Sequence, residues 1–342
     1  MVGERIRTTV VGFAGALVVF AILFSFVGVD RLVAQLSAAD AATVALVVFV
    51  TIGWLAAWSL ALRTVLAVLG VEISSVKAFL VFAGATFSNN ITPFGQAGGE
   101  PVTALLISRT ADAEYETGLA AIASVDTLNF VPSMSLALIG VGYFATETTL
   151  GRNLELAVGA VVVLGVAVPA LIYVGWQRRY SLERRAVRRV TPAIQRIAGV
   201  LPRVSAPSAA SIERRVGRFF QAIERVALNP RGLAMALLLS TTGWAFQMLG
   251  LWLSFEAIGA SIPLSITLFV VPMAAIAGVT PLPGGAGGIE SMLVVLLLAA
   301  TGPAVTEPIA LAAVVIYRGA VYWVPILIGG AVMGVVGVRE RP

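Results

Sequence analysis

The 342-residue chain is 58 % hydrophobic and only 12 % charged, with a mean hydropathy of +0.95. Soluble domains run near one quarter charged, so this composition excludes an ordinary water-soluble fold; no strand alternation marks an outer-membrane barrel, which leaves a helical membrane protein. Cys and His are both absent and the net charge is +5, which excludes disulfides, thiol nucleophiles, zinc sites with Cys or His ligands and histidine acid–base chemistry.

Arg5 and Arg7 precede an apolar run from Thr8 to Val29. The run is longer than a signal-peptide core of about 7–15 residues and no small-x-small site follows, so it reads as a retained first span. Residues 1–40 are that span and its loop. A second span covers 41–62 and ends at Arg63; residues 64–77 are interfacial. The apolar run 78–91 is then broken by "TPFGQAGGEP" (Thr92 to Pro101), and a short apolar piece continues to Ser108. Arg109 and the acidic patch Asp112, Glu114 and Glu116 come next, then spans at 117–145 and 154–176. Residues 41–176 form a first unit.

Residues 177–231 change character. "RRYSLERRAVRRVTPAIQR" and "SIERRVGRFFQAIERV" read as Arg-rich amphipathic helices around a Pro/Ser/Ala loop. The positive-inside rule puts this linker in the cytoplasm, where it rests on anionic inner-leaflet lipids. A span at 232–258 follows, then an apolar run 262–279, the second broken element "TPLPGGAGGIE" (Thr280 to Glu290), a short piece to Ala300, and a last span at 307–338. Residues 232–342 form the second unit. Crossings counted from a cytoplasmic start leave Arg63, Lys77, Arg109, the linker and the tail Arg339 and Arg341 inside. The outer loops 146–153, 259–263 and 301–306 contain only Arg152 as a base.

Helix breakers at membrane depth are tolerated only where protein or water satisfies the freed backbone. The arms around each break are short for a hydrocarbon core of about 30 Å, so residues 78–108 and 262–300 read as re-entrant hairpins. The repeat continues past the break: "LAAIASVDTLNFV" (Leu119 to Val131) aligns without gaps to "LAAVVIYRGAVYW" (Leu311 to Trp323). The expected fold is an all-α polytopic membrane protein with about six full spans and two re-entrant hairpins, arranged as an inverted-topology repeat in which broken helices meet around a substrate.

A half-helix N-terminus attracts anions. Gly98 and Gly99 ahead of one half-helix, and Gly284, Gly285, Gly287 and Gly288 ahead of the other, would let a phosphate approach the backbone. Pro101 reads as a first-turn proline of the first. Glu100 and Glu290 either cap these half-helices or pair with Arg, bind a cation or carry a proton. Asn89, Asn90 and Gln96 add polar lining to the first hairpin. Asp126 and Arg318 lie roughly 14–17 Å into their spans, a depth at which charge is costly and marks function or mutual pairing. Arg318 is read as a phosphate ligand held by Asp126 in the empty state. The remaining Trp and Tyr residues, Tyr322 among them, read as interface or packing residues. No cofactor, metal or catalytic residue is expected.

"NNITPFGQAGGEP", "TPLPGGAGGIE" and the Arg318 of "IYRG" resemble the lysylphosphatidylglycerol synthase transmembrane, or flippase-like, family, over nearly the whole chain. The resemblance implies a stand-alone membrane domain without the soluble aminoacyl-transfer domain, and the handling of phospholipids or polyprenyl-phosphate-linked sugars. The expected function is a non-enzymatic lipid translocase that carries an anionic headgroup through a polar groove. The alternative is an ion-coupled secondary transporter of a small soluble anion. Expected partners are membrane lipids and no nucleic acid, with homo-oligomer formation left open.

Overall fold

The computed structural model describes residues 29–92, 96–147, 152–200, 208–279 and 282–338. The span expected at 8–29 therefore lies outside the described residues but for Val29, as do the turn tips 93–95 and 280–281. Every regular element described is helical. In chain order the α-helices are α1 Val29–Ser37, α2 Ala41–Val68, α3 Ser75–Ile91, α4 Gln96–Ala111, α5 Tyr115–Glu147, α6 Arg152–Gln177, α7 Arg179–Val200, α8 Ala209–Ala227, α9 Pro230–Ala257, α10 Leu264–Ile276, α11 Gly288–Thr301 and α12 Glu307–Val338.

Polar caps set several of the boundaries. Asp40 accepts from the Thr43 N–H at 2.8 Å at the start of α2, and Thr43, its hydroxyl foremost, holds the Asp40 carboxyl below the usual carboxylate range. Ser74 caps α3, and Asn229 caps α9 by accepting from the Gly232 N–H at 2.8 Å, with Pro230 in the first turn where its missing N–H costs nothing. The Asp40 N–H also donates to the Ala257 carbonyl at 2.7 Å, tying the start of α2 to the end of α9.

α2, α9, Tyr115–Phe144 of α5 and Glu307–Gly334 of α12 are long and apolar enough to cross a membrane. So is the 22-residue segment Pro283–Ala304, longer than the short arm expected to end at Ala300, because 3-10 turns extend α11 at both ends. α6 and α7 meet at a bend of 77° between Val161–Gln177 and Arg179–Ala193.

The packing follows one rule. α2 lies against α9; α3 against α12 and α10 against α5; α2 against α12 and α9 against α5. Within each unit, α3 packs on α2 and α4, and α10 on α9 and α11, while α4 packs on α5 and α11 on α12. The pairing is unchanged when α2–α5 and α9–α12 are exchanged. The α2–α9 seam is tight because Gly243 leaves room for the Trp58 indole, which a Cβ there would strike. Trp58 stacks edge-on with Trp54 and Trp244, centroids 5.5 Å apart in each case. Its Nε1–H donates to the Ser240 carbonyl at 3.1 Å, and that of Trp244 to the Asn129 carbonyl at 3.0 Å. These bonds join α2, α5 and α9 at a buried core.

Candidate functional site

The second break is built from glycine. Gly284, Gly285 and Gly287 have φ of +58°, +66° and +85°, the left-handed region that only glycine enters without strain. They return the chain from α10 into α11, whose third residue is Glu290. Glu290 Oε2 accepts from the Gly287 N–H at 2.6 Å, so the half-helix start is closed by its own carboxylate. Oε1 accepts from Arg318 Nε at 2.7 Å. Arg318 Nη2 donates to the Gly284 carbonyl at 3.2 Å. Glu290 is 3 % exposed and Arg318 8 %.

Arg318 lies eleven residues into α12, about 17 Å along its axis. One edge of its guanidinium, Nε and Nη2, is thereby spent on the protein, whereas Nη1 donates to no described residue. The guanidinium carbon stands 5.7 Å from the Tyr322 ring centroid.

The first break meets the second here. Asn90, near the end of α3, donates through Nδ2 to the Tyr322 carbonyl at 3.2 Å, and the Tyr322 hydroxyl donates back to the Asn90 carbonyl at 3.0 Å. A Cβ on Gly284 would lie 2.6 Å from the Tyr322 ring and 3.0 Å from Asn90 Oδ1. The end of α3, two residues ahead of the first break, therefore touches the second turn. Asn89 faces the other way: its Oδ1 presses on Gly99 and is buried without a hydrogen-bond partner. Adjacent asparagines thus serve one hairpin each.

Three expectations need correction. Gly98 and Gly99 do not precede the first half-helix: α4 begins at Gln96, so both lie in its first turn, and Pro101 is its sixth residue rather than a first-turn proline. The helix extends further back because its opening residues take helical geometry with no positive-φ glycine to stop them. Arg318 pairs with Glu290, not with Asp126; Glu290 reaches it from the half-helix that packs on α12. Asp126 instead lies within hydrogen-bonding reach of Glu100, and its buried Oδ2 has no hydrogen-bond partner.

The repeat alignment gives this a pattern. Asp126 and Arg318 are equivalent, and each meets the Glu of the half-helix before it: Glu100 on α4, Glu290 on α11. One copy of the motif is a carboxyl pair, the other an ion pair. Tyr322, read from the sequence as an interface or packing residue, is the contact with the first hairpin's arm that sequence reasoning missed. The signal was there, since it stands one turn after Arg318 and shares its face.

The sequence profile of the family described as "Lysylphosphatidylglycerol synthase TM region" matches residues 9–329. The chain belongs to this family. Among its relatives are two UPF0104 membrane proteins of Methanothermobacter thermautotrophicus. One is 28 % identical over 275 residues, covering 78 % of this chain and 76 % of the relative. The other is 24 % identical over 333 residues, covering 95 % and 92 %. The UPF0104 membrane protein PH1989 of Pyrococcus horikoshii is 23 % identical over 320 residues, covering 90 % and 91 %. Family membership and the apolar helices make this a multi-pass membrane protein.

Proposed function

We propose that the protein is a lipid translocase, without covalent chemistry of its own, that carries a phosphate-bearing headgroup past the two hairpin tips while the acyl or prenyl chains stay in the bilayer. The observation that carries the reading is the arrangement of Arg318: a buried cation held at a glycine-built half-helix start, with one guanidinium edge fixed and Nη1 donating to no described residue. A guanidinium suits a phosphate oxygen, and the neutral Arg318–Glu290 pair lowers the cost of keeping the cation in lipid until the headgroup arrives. The exchange-symmetric packing supports an inverted repeat with α3–α4 and α10–α11 as re-entrant hairpins. The termini and residues 177–231 lie on the cytoplasmic side. The substrate class is an anionic phospholipid or a polyprenyl-phosphate-linked glycan.

The test is leaflet-resolved transport of fluorescent phospholipids and polyprenyl-phosphate sugars in liposomes. Arg318→Lys should retain part of the rate and Arg318→Ala should lose it. Equal rates in protein-free and wild-type liposomes for every lipid offered would end the proposal. The Glu100–Asp126 pair favours one second reading, an ion-coupled transporter of a small anion: two carboxyls in contact at membrane depth are a place for a proton or another monovalent cation. Uptake of a soluble anion with no lipid transfer would select it.

A further inference from the structure

We infer that the cavity between α2, α5 and α8 is a second anion site, one that holds the headgroup of an anionic lipid at the membrane surface, apart from Arg318. The site is about 180 Å³ in volume and is lined by Leu69, Glu114, Thr117, Arg218, Gln221 and Arg225. Its depth follows from its walls. Leu69 caps the end of α2 and Thr117 is the third residue of α5, so the cavity opens where two spans leave the bilayer, the level of lipid headgroups.

Its chemistry comes from one face of α8. Arg218 and Arg225 stand seven residues apart, two turns of helix, with Gln221 between them. Arg218 is held by Glu114 at 2.6 Å and more loosely by Glu116 at 3.8 Å. Arg215 bonds Glu116 at 2.9 Å. Together these ion pairs dock α8 on the start of α5. Arg225 has no acidic partner among the described residues, and a phosphate oxygen is the group its open guanidinium suits. One turn on, Leu228 is 67 % exposed, an apolar surface beside the cavity for the lipid's chains. Such a pocket takes the headgroup and leaves the tails outside.

Charge supplies the partner. Residues 177–231 contain thirteen Arg and three Glu, a surplus of ten where the whole chain has a net charge of +5. α7 turns away from α6 at the 77° bend. At that bend the Arg179 guanidinium carbon lies 4.4 Å from both the Trp176 and Tyr180 ring centroids, and its Nε donates to Glu224 of α8 at 3.1 Å. Beyond it Leu182 and Val190 are exposed alongside Arg184, Arg185, Arg188 and Arg189, the mixed face of a helix lying along a bilayer surface. That surface delivers anionic lipid to the cavity. Because α5 also carries Asp126, the occupant sits at the foot of a span that lines the translocation site.

The experiment uses the full chain in nanodiscs of phosphatidylcholine with phosphatidylserine, extracted gently and read by native mass spectrometry for retained phosphatidylserine. Arg225→Gln leaves the ion pairs to Glu114 and Glu116 intact and is the decisive variant; it should weaken retention about fivefold, the worth of one surface arginine. Arg218→Gln should weaken it as well. Arg318→Ala removes only phosphatidylserine held at the translocation site, so its loss should add to that of Arg225→Gln in the double variant, and this inference and the translocation reading fail separately. Retention of phosphatidylserine by Arg225→Gln equal to wild type overturns the site. Glycerol phosphate that binds the detergent-solubilised protein as well as phosphatidylserine does overturns the lipid as its occupant.

Discussion

Removing Arg318 tests the buried ion pair and the phosphate role at once, and the two effects separate. In Arg318→Met the Glu290 carboxylate keeps its bond to the Gly287 N–H but loses the cation it pairs with, and the Gly284 carbonyl loses the Nη2 donor. Stranding one member of a buried pair costs about 3–5 kcal/mol. Glu290→Gln strands the guanidinium instead and turns an amide N–H towards it. In the double variant Arg318→Met with Glu290→Gln neither charge remains, so the losses should not add; a coupling of up to about 3 kcal/mol is expected for groups in direct contact. The assay is SDS titration in mixed micelles followed by tryptophan fluorescence, with liposome transport measured on the same preparations. Stability should return largely in the double variant while transport does not, since no guanidinium remains for a phosphate. Strictly additive stability losses would refute the pairing as an energetic unit. An Arg318→Met protein of wild-type stability and wild-type transport would remove the residue from both roles.

Gly284→Ala should destabilise the protein by about 1–2 kcal/mol from the left-handed φ alone, and by more because Tyr322, 2.6 Å away and tied to Asn90, cannot swing aside; an unchanged SDS midpoint would contradict the contact between the hairpin tips. Cysteines at Asn90 and Gly284, in a chain that has none of its own, should be bridged by a short bifunctional reagent, and failure to bridge in a folded variant would separate the two turns. Asp126→Asn keeps the shape of the carboxyl pair without its second charge, so the protein should fold and lose any response of transport to an imposed proton gradient; an undiminished response takes the pair out of the coupling. A reporter fused at position 205 should read cytoplasmic, and an external reading would invert the assigned topology.

The helical class and the breaks were legible because they rest on composition and on Gly and Pro, whose backbone constraints act locally. The duplication of the breaks pointed to a meeting of the two elements that the end of α3 and Gly284 bring together. The pairing of Arg318 was not: Glu290 and Asp126 were both candidate partners, and the choice depends on how α11 leans on α12, a packing angle no local pattern encodes. The start of α4 failed for a related reason. Gly98 and Gly99 look like breakers, yet inside α4 they make room, with Gly99 taking the Asn89 side chain that a Cβ would displace. Tyr322 was passed over because aromatic residues in a span are usually interface or packing residues, whereas here the hydroxyl bridges to the opposite hairpin.

The two copies of the motif differ in charge at one matched position, an acid in α5 where α12 has a base, and under the proposed reading that difference bears on transport. A symmetric pair of phosphate ligands would hold a headgroup equally well at both tips and gain nothing from moving it. With Arg318 at one tip and Glu100 with Asp126 at the other, an anion is attracted to the second hairpin and repelled from the first unless a cation accompanies it there. Asn90 and Tyr322 tie α3 to α12 by two hydrogen bonds, each worth about 0.5–1.5 kcal/mol, and on the proposed reading a headgroup that leaves Arg318 for the first hairpin must meet the carboxyl pair neutralised. Under the proposed reading the carboxyl pair is then what makes passage conditional, and Glu290, by balancing the Arg318 charge when the site is empty, is what lets the site reset.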